Sequence, residues 1–186
     1  MVLASGSSAR RTLLKKLVPH FEVRKSRFRE RLDAALSPAT LAKRLAAQKA
    51  EAAARKGEDA ILIGADTLAV AGRAVYGKPR NLAHARAILR ALSGKKHRIV
   101  TGFALLDARS GARISRSVST EVWFRTLSER EIERYAASGE PLGAAGGYRL
   151  QKGGARLVRR VRGGRDNVAG LPLAALRGAL RRMKAL

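Results

Sequence analysis

The chain has 186 residues, of which 39 are Lys or Arg and 14 are Asp or Glu, and its formal net charge is +25 at pH 7. A hydrophobic fraction of 46% excludes a disordered chain driven by charge, and the absence of cysteine excludes disulfides, thiolate zinc sites and thiol nucleophiles. The apolar runs are far shorter than a membrane span and the N-terminus lacks a signal-peptide pattern, so we expect a cytoplasmic protein that enters no membrane.

The first predicted elements are a short strand, a loop of small residues and a helix. Residues 2–4 are apolar, Ser5 and Ser7 lie in the loop that follows, and leucines at helical spacing begin at Leu13. Backbone N–H groups and hydroxyls at the start of a helix, here with Arg10 nearby, form a general receiving geometry for phosphate. An ordinary loop with surface arginines is the alternative for the same residues.

A helix over 39–55 and a central strand over 61–65 follow. Ser37 before Pro38 is typical of a helix start, and the continuous apolar run of the strand is typical of burial on both faces. Asp66 stands directly after this run, at the end of the strand where α/β folds place ligand groups. It is therefore a candidate metal ligand or general base, with a helix cap or a loop ion pair as the alternative.

Two long strands are predicted over 99–107 and 113–124, after a helix that Asn81 caps. Polar and apolar residues alternate cleanly along the second strand, which is the pattern of a strand with one buried face. Trp123 and Phe124 lie at the end of this strand, and we interpret both as core residues in preference to a platform for stacking bases.

The last helices begin at Ser128, which forms a capping box with Glu131, and after Pro172. No repeat, linker or low-complexity segment divides the chain. The alternation of strands and helices predicts one α/β domain over residues 1–186, with a mixed central sheet flanked by helices.

Short motifs occur in a fixed order over nearly the whole chain. They are Leu3-Ala4-Ser5-Gly6-Ser7 with Arg10, Lys49-Ala50, Gly64-Ala65-Asp66-Thr67, Lys78-Pro79, Leu92-Ser93-Gly94 with His97, Glu140-Pro141-Leu142, Tyr148, Gln151, Asn167-Val168 and Gly170-Leu171-Pro172. In this order and spacing they resemble the Maf family of nucleoside triphosphate pyrophosphatases. Each motif alone is a weak signal, and the resemblance rests on their combination.

The resemblance implies an elongated mixed sheet with two lobes around a nucleotide cleft, as in Maf and ITPase folds, and a homodimer. It also implies an enzyme that hydrolyses a nucleoside triphosphate to the monophosphate and pyrophosphate. The implied cofactor is a divalent metal, Mg²⁺, with Mn²⁺ or Co²⁺ as alternatives. Such a metal suits this chemistry because it neutralises the charge of the triphosphate.

The resemblance also implies roles for individual residues. By position, Asp66, Glu30 and Lys78 would be catalytic, and Glu30 and Asp66 would bind the metal. The substrate-binding residues implied in the same way are Ser5, Ser7, Arg10, Lys49, Thr67 and Gln151. Asp66 is our preferred general base. Glu30, taken without the resemblance, is a lone acid in a basic segment and would be interpreted as a surface ion pair.

The chain departs from the family pattern in three segments. Ser8-Ala9 stands where the family's Ser-Pro-Arg-Arg motif has a proline and an arginine, Gly143-Ala144 replaces an Asp-Lys pair, and Arg149 replaces a glycine. Asp66-Thr67 and Gln151 favour the branch that prefers dTTP and UTP, whereas Ala9 does not. We therefore expect dTTP, UTP or modified pyrimidine nucleotides as substrates.

The net charge supports an alternative function. A catalytically weakened member of the family could act as a basic nucleic-acid-binding protein or as a regulator of cell division. The same excess of arginine is also compatible with incidental nucleic-acid binding by an active enzyme, or with a genome rich in G and C. Release of pyrophosphate from a panel of nucleotides discriminates between the enzyme and the alternative.

Overall fold

The computed structural model describes residues 1–26, 33 and 35–186, and within these residues the chain forms seven strands and six α-helices. The strands are β1 (Val2–Leu3), β2 (Glu22–Val23), β3 (Ile61–Ala71), β4 (Ala74–Tyr76), β5 (Lys96–Asp107), β6 (Arg113–Phe124) and β7 (Val158–Arg162). The helices are α1 (Ser8–Leu14), α2 (Pro38–Ala53), α3 (Leu82–Leu92), α4 (Glu129–Ala137), α5 (Arg165–Val168) and α6 (Leu173–Arg182). Two 3₁₀ helices are formed by Ala145–Gly147 and Gly153–Leu157.

The strands form one sheet in the order β2-β1-β3-β5-β6-β7, and β4 pairs with β3. β1 is parallel to both β2 and β3, whereas β4 is antiparallel to β3 and β7 is antiparallel to β6. The α/β class with a mixed sheet, predicted from the sequence, is therefore confirmed. Among the described residues, no helix is both long enough and apolar enough to cross a lipid bilayer.

The chain divides into two compact units, each with its own hydrophobic core. The first unit comprises Met1–Asp66, Thr101–Val118 and Gly170–Leu186, and the second comprises Thr67–Val100 and Ser119–Ala169. The largest core cluster of the first unit contains Leu3, Leu14, Val18, Ile63, Ala65, Phe103, Leu105, Leu171, Leu176, Ala179 and Leu180. The core cluster of the second unit contains Ala69, Ile88, Leu89, Leu92, Ile99, Val122, Phe124, Leu127, Ile132, Tyr135, Tyr148, Leu150 and Leu157.

Three of the predicted helix starts are confirmed by their caps. The side chain of Ser37 accepts a hydrogen bond at the start of α2, with Pro38 in the first turn, and Asn81 does the same for α3. Ser128 and Glu131 form the reciprocal hydrogen bonds of a capping box at the start of α4. These signals are local in the sequence, which is why they could be identified without the fold.

Two glycines allow α2 to lie directly on the sheet of the first unit. A Cβ atom on Gly64 of β3 would lie 2.0 Å from the carbonyl oxygen of Ala46, and one on Gly102 of β5 would lie 2.2 Å from the carbonyl carbon of Ala42. No side chain fits at either strand position, so the backbone of the helix approaches the strands closely. This contact fixes the face of α2 that points toward β3.

Two expectations from the sequence are wrong. The strand containing residues 61–65 does not end before Asp66, because β3 continues to Ala71 and Asp66 lies near its middle. Trp123 is not a core residue: side chains alternate along β6, so Phe124 is buried and Trp123 lies partly exposed on the opposite face.

Candidate functional site

A buried ion pair joins α2 to β3 in the first unit. The Nζ atom of Lys49 lies 2.5 Å from Oδ1 of Asp66, and the two side chains are 9% and 5% exposed. Lys49 lies on the face of α2 that packs against the sheet, among the buried residues of that helix. The glycine contacts of α2 bring this face onto β3, which places the ammonium group beside the carboxylate.

The two oxygens of Asp66 have different surroundings. Oδ1 accepts the hydrogen bond from Lys49, whereas Oδ2 is buried and has no hydrogen-bond partner among the described residues. A buried polar atom without a hydrogen-bond partner lowers stability. Such an atom is expected at a site where a ligand or a reacting group supplies the missing interaction. Oδ2 of Asp66 has two lone pairs, so it can bind a cation and also accept the proton of a water molecule.

The donor set fits a divalent cation that shares its ligands with a substrate. Within the described ranges, no group of three His, Asp or Glu side chains could hold a metal by itself. Mg²⁺ does not need such a group, because it commonly binds one or two carboxylates together with substrate phosphates and water. Oδ2 of Asp66 can supply one of these oxygens. Glu30, the second metal ligand implied by the resemblance, lies outside the described residues.

The loop after β1 is organised by Arg10, which is only 7% exposed. Its Nε donates to the carbonyl oxygen of Gly170 over 2.9 Å, and its Nη1 donates to Oγ of Ser5 over 3.4 Å. Oγ of Ser5 also accepts from the backbone N–H of Ser7, and Ser7 caps α1. Arg10 therefore holds the serine loop in place, in addition to any contact with phosphate.

The parallel register of β1 and β3 relates the serine loop to Asp66. Leu3, the last residue of β1, pairs with Ile63 of β3. Beyond this point the chain leaves the sheet through Ser5 and Ser7, whereas β3 continues to Asp66 in the same direction. The first unit therefore carries the serine loop and the Lys49–Asp66 pair at the same end of its β1–β3 pair.

Three of the predicted site residues belong to the second unit. Thr67 follows Asp66 on β3 and is partly buried, whereas Lys78 and Gln151 are exposed. Lys78 lies between β4 and α3, and Gln151 lies in a turn between the two 3₁₀ helices. The structure thus brings Lys49 and Asp66 into direct contact, and it links Arg10 of α1 to the loop that contains Ser5 and Ser7.

Arg149, two residues before Gln151, is hydrogen bonded to the segment that contains Glu140 and Leu142. The sequence did not indicate this role. Its Nε donates to the carbonyl oxygen of Glu140 over 2.9 Å, and its Nη2 donates to that of Leu142 over 3.1 Å. The same Nη2 lies 3.4 Å from where a Cβ atom on Gly143 would stand. Gly143 and Arg149, two departures from the family pattern, are therefore neighbours in space. Their occurrence in one short segment is the sequence feature that could have indicated this contact.

His97 lies in the core of the second unit. It is 1% exposed, its Nε2 is 2.9 Å from Oη of Tyr148, and its ring contacts the edge of Phe124 with centroids 4.9 Å apart. Burial lowers the pKa of His97 to about 4, because the apolar surroundings disfavour the charged imidazolium. This histidine is a neutral packing residue at physiological pH.

Comparison with known proteins gives a consistent result over the whole length. Residues 1–183 match the family described as Maf-like protein. The dTTP/UTP pyrophosphatase of Pelotomaculum thermopropionicum is 42% identical over 182 residues, which cover 98% of this chain and 95% of the relative. The dTTP/UTP pyrophosphatase of Vibrio cholerae serotype O1 is 45% identical over 174 residues, covering 93% and 92%.

Solved structures are similar to the chain as well. The Ham1 protein of Staphylococcus aureus superposes with a TM-score of 0.49 at 14% identity and covers 98% of each chain. A likeness at this level supports no argument about the present chain.

Proposed function

The chain belongs to the Maf family, and from this premise we propose that it hydrolyses a nucleoside triphosphate to the nucleoside monophosphate and pyrophosphate. Relatives more than 40% identical over nearly the full length are named dTTP/UTP pyrophosphatases, which supports dTTP and UTP as substrates. The structural observation that carries the proposal is the buried Lys49–Asp66 pair, in which one carboxylate oxygen has no partner among the described residues.

Asp66 acts as the general base in the proposed reaction. Oδ2 accepts a proton from a water molecule while the water oxygen forms a bond to the α-phosphorus. The bond between the α-phosphorus and the oxygen that bridges to the β-phosphorus breaks, and pyrophosphate leaves with the electron pair. Lys49 holds Oδ1, so the carboxylate is fixed in orientation and Oδ2 remains the oxygen that accepts the proton.

A divalent cation, Mg²⁺ with Mn²⁺ or Co²⁺ as alternatives, would be held by Asp66 and Glu30, and when bound it neutralises triphosphate charge and stabilises the leaving pyrophosphate. The chain's own cations share this task, because Lys78 and Arg10 carry positive charge that can contact phosphate oxygens. The remaining substrate contacts in the proposal are Ser5, Ser7, Lys49, Thr67 and Gln151. The single functional domain over residues 1–186, the homodimer and the cytoplasmic location stay predictions.

A nucleotide panel tests the proposed function. The pure protein is incubated separately with each common ribo- and deoxyribonucleoside triphosphate and Mg²⁺, and released pyrophosphate is measured. We expect release from dTTP and UTP, and the same assay with Mn²⁺ or Co²⁺ ranks the metals. Failure to release pyrophosphate from any nucleotide with any of the three metals would contradict the proposal. Release of single phosphates instead of pyrophosphate would contradict attack at the α-phosphorus.

A further inference from the structure

One face of the sheet in the second unit is rich in cations. Along β5, β6 and β7 the apolar side chains of Ile99, Val122 and Val161 pack on the core. Because side chains alternate, the intervening residues point to the other face of the sheet. They are Lys96, Arg98, Glu121, Trp123, Arg160 and Arg162, and we refer to them together as the Trp123 face.

Trp123 lies between two cations at the centre of this face. The guanidinium carbon of Arg160 is 5.1 Å from the centroid of the indole ring, and Nζ of Lys96 is 5.8 Å from it. Arg160 is the cross-strand partner of Trp123 in the β6–β7 register. A large aromatic ring on a solvent-facing sheet surface, bordered by positive charges, is the arrangement that stacks an unpaired base and binds its phosphates.

The charge of the Trp123 face is poorly balanced. Glu121 is its one acid, and its carboxylate lies 3.1 Å from Nζ of Lys96 and 3.9 Å from Nη1 of Arg162. Within the described part of the chain, neither Arg98 nor Arg160 has a carboxylate within ion-pair distance. The face therefore presents positive charge beside an aromatic ring, with two guanidinium groups available for an anionic partner.

We propose that the Trp123 face binds single-stranded nucleic acid. Phosphates pair with Arg98, Arg160 and Arg162, and a base stacks on Trp123 in place of the arginine that now lies over the ring. A single strand is favoured over a duplex because its bases are free to stack on a side chain. A second copy of the chain is disfavoured as the occupant, because two faces of the same charge repel each other. This binding is independent of the proposed hydrolysis.

Trp123 itself reports the binding, because it is the only tryptophan of the chain. The full-length protein is titrated with an oligothymidylate of about 16 nucleotides, a length that covers a stacking platform of this kind. We expect quenching of the tryptophan emission and an affinity that falls as salt is raised. Heparin, a polyanion without bases, is the control for charge alone. Equal quenching by heparin, or no quenching by the oligonucleotide, would overturn the proposal.

A pair of matched double variants locates the site. R160Q/R162Q removes two charges from the Trp123 face, and R181Q/R182Q removes two charges from α6 in the first unit, where both arginines are exposed. Each variant lowers the net charge equally, so non-specific attraction falls equally. We expect R160Q/R162Q to weaken binding of a fluorescently labelled oligonucleotide about tenfold relative to R181Q/R182Q.

Four further outcomes decide the proposal. Equal weakening in both double variants would show general electrostatic attraction and would overturn it. Sedimentation that shows a dimer disrupted only by R160Q/R162Q, without oligonucleotide binding, would assign the face to a second copy. Unchanged pyrophosphate release by R160Q/R162Q, with weakened binding of the oligonucleotide, would support a site separate from the catalytic one, whereas a parallel loss of both would contradict it.

Discussion

The two oxygens of the Asp66 carboxylate have different roles. Oδ1 is held by Lys49 at 2.5 Å, and this contact fixes the rotamer of the side chain. Oδ2 is consequently aimed in one direction and has no partner among the described residues. A residue that is both immobilised and incompletely bonded is suited to catalysis, because no reorganisation is needed before it accepts a proton.

The substitution D66N tests this role. Asparagine has nearly the same size but cannot accept the proton, so we expect turnover of dTTP to fall about 10³-fold. D107N is the matched control, because Asp107 is also a hydrogen-bonded aspartate of the first unit but is the last residue of β5, where a surface turn begins. Pyrophosphate release is measured for both. A D66N protein with a near wild-type rate would remove Asp66 from the mechanism.

His97 makes stability depend on pH in a defined window. Its pKa is lowered to about 4 in the folded chain by burial, so the unfolded chain binds the proton more readily. The contribution of neutral His97 to the free energy of unfolding is fully present above pH 6.5, the ordinary pKa of histidine. This contribution is lost as the pH falls toward 4. We expect the free energy of unfolding in urea to drop by about 2–3 kcal/mol between pH 7 and 4.5 because of this residue alone.

The control for the pH effect is a pair of histidine variants. H97Q removes the buried titrating group and is expected to flatten the pH dependence in this window. H20Q removes an exposed histidine outside the core and is expected to leave it unchanged. An H97Q protein that loses stability on acidification as steeply as the wild type would show that another group is responsible.

At the scale of elements, the position of Lys49 is set by the approach of α2 to the sheet. The helix can come this close only because β3 and β5 present Gly64 and Gly102 beneath it. The cap of α2 and the apolar run of β3 were predictable, since both are local patterns. The contact between them was not, because nothing in the spacing of the glycines indicates which helix covers them.

A methyl group at Gly64 is expected to displace α2. In G64A the new Cβ would stand 2.0 Å from the carbonyl oxygen of Ala46, which is far inside contact distance, so we expect a loss of stability of about 1–3 kcal/mol or more. Activity should fall as well, because Lys49 moves with the helix. G178A is the control: Gly178 lies inside α6 with no atom within 4 Å of its Cβ position, so alanine there should raise stability by about 0.5–1 kcal/mol. Urea unfolding and pyrophosphate release measure both, and a G64A protein as stable as the wild type would contradict this packing argument.

The candidate site was predictable only in part. Asp66 was a candidate from its position after an apolar run, and Lys49 was named from a family resemblance, but their contact depends on packing between residues distant in the sequence. The continuation of β3 through Asp66 was missed because an aspartate after an apolar run usually marks a strand end, and here Lys49 offsets its charge. The role of Arg149 was missed for a related reason: its partners are backbone carbonyl oxygens, which leave no trace in the sequence.

For the whole molecule, the net charge of +25 acts as an internal repulsion. Raising NaCl from low ionic strength to about 0.3 M shortens the range of this repulsion, so we expect the Tm to rise. In a chain of this size, each kcal/mol of repulsion that is removed raises the Tm by about 3 °C. KCl at the same concentrations should give the same shift, because ionic strength and not the cation is responsible. A Tm that falls with NaCl would mean that the ion pairs lost to screening outweigh the repulsion.

The arginines of β7 have a consequence beyond ligand binding. β7 is the last strand in the order of the sheet, and its sequence places Arg159, Arg160 and Arg162 between two valines and at the strand end. An outermost strand exposes backbone groups on which a strand of another molecule can assemble, and charged side chains oppose this. If all three arginines were replaced by apolar residues, β7 would present an uncharged edge with two β-branched valines. The solubility of the protein at high concentration therefore depends on the same arginine side chains.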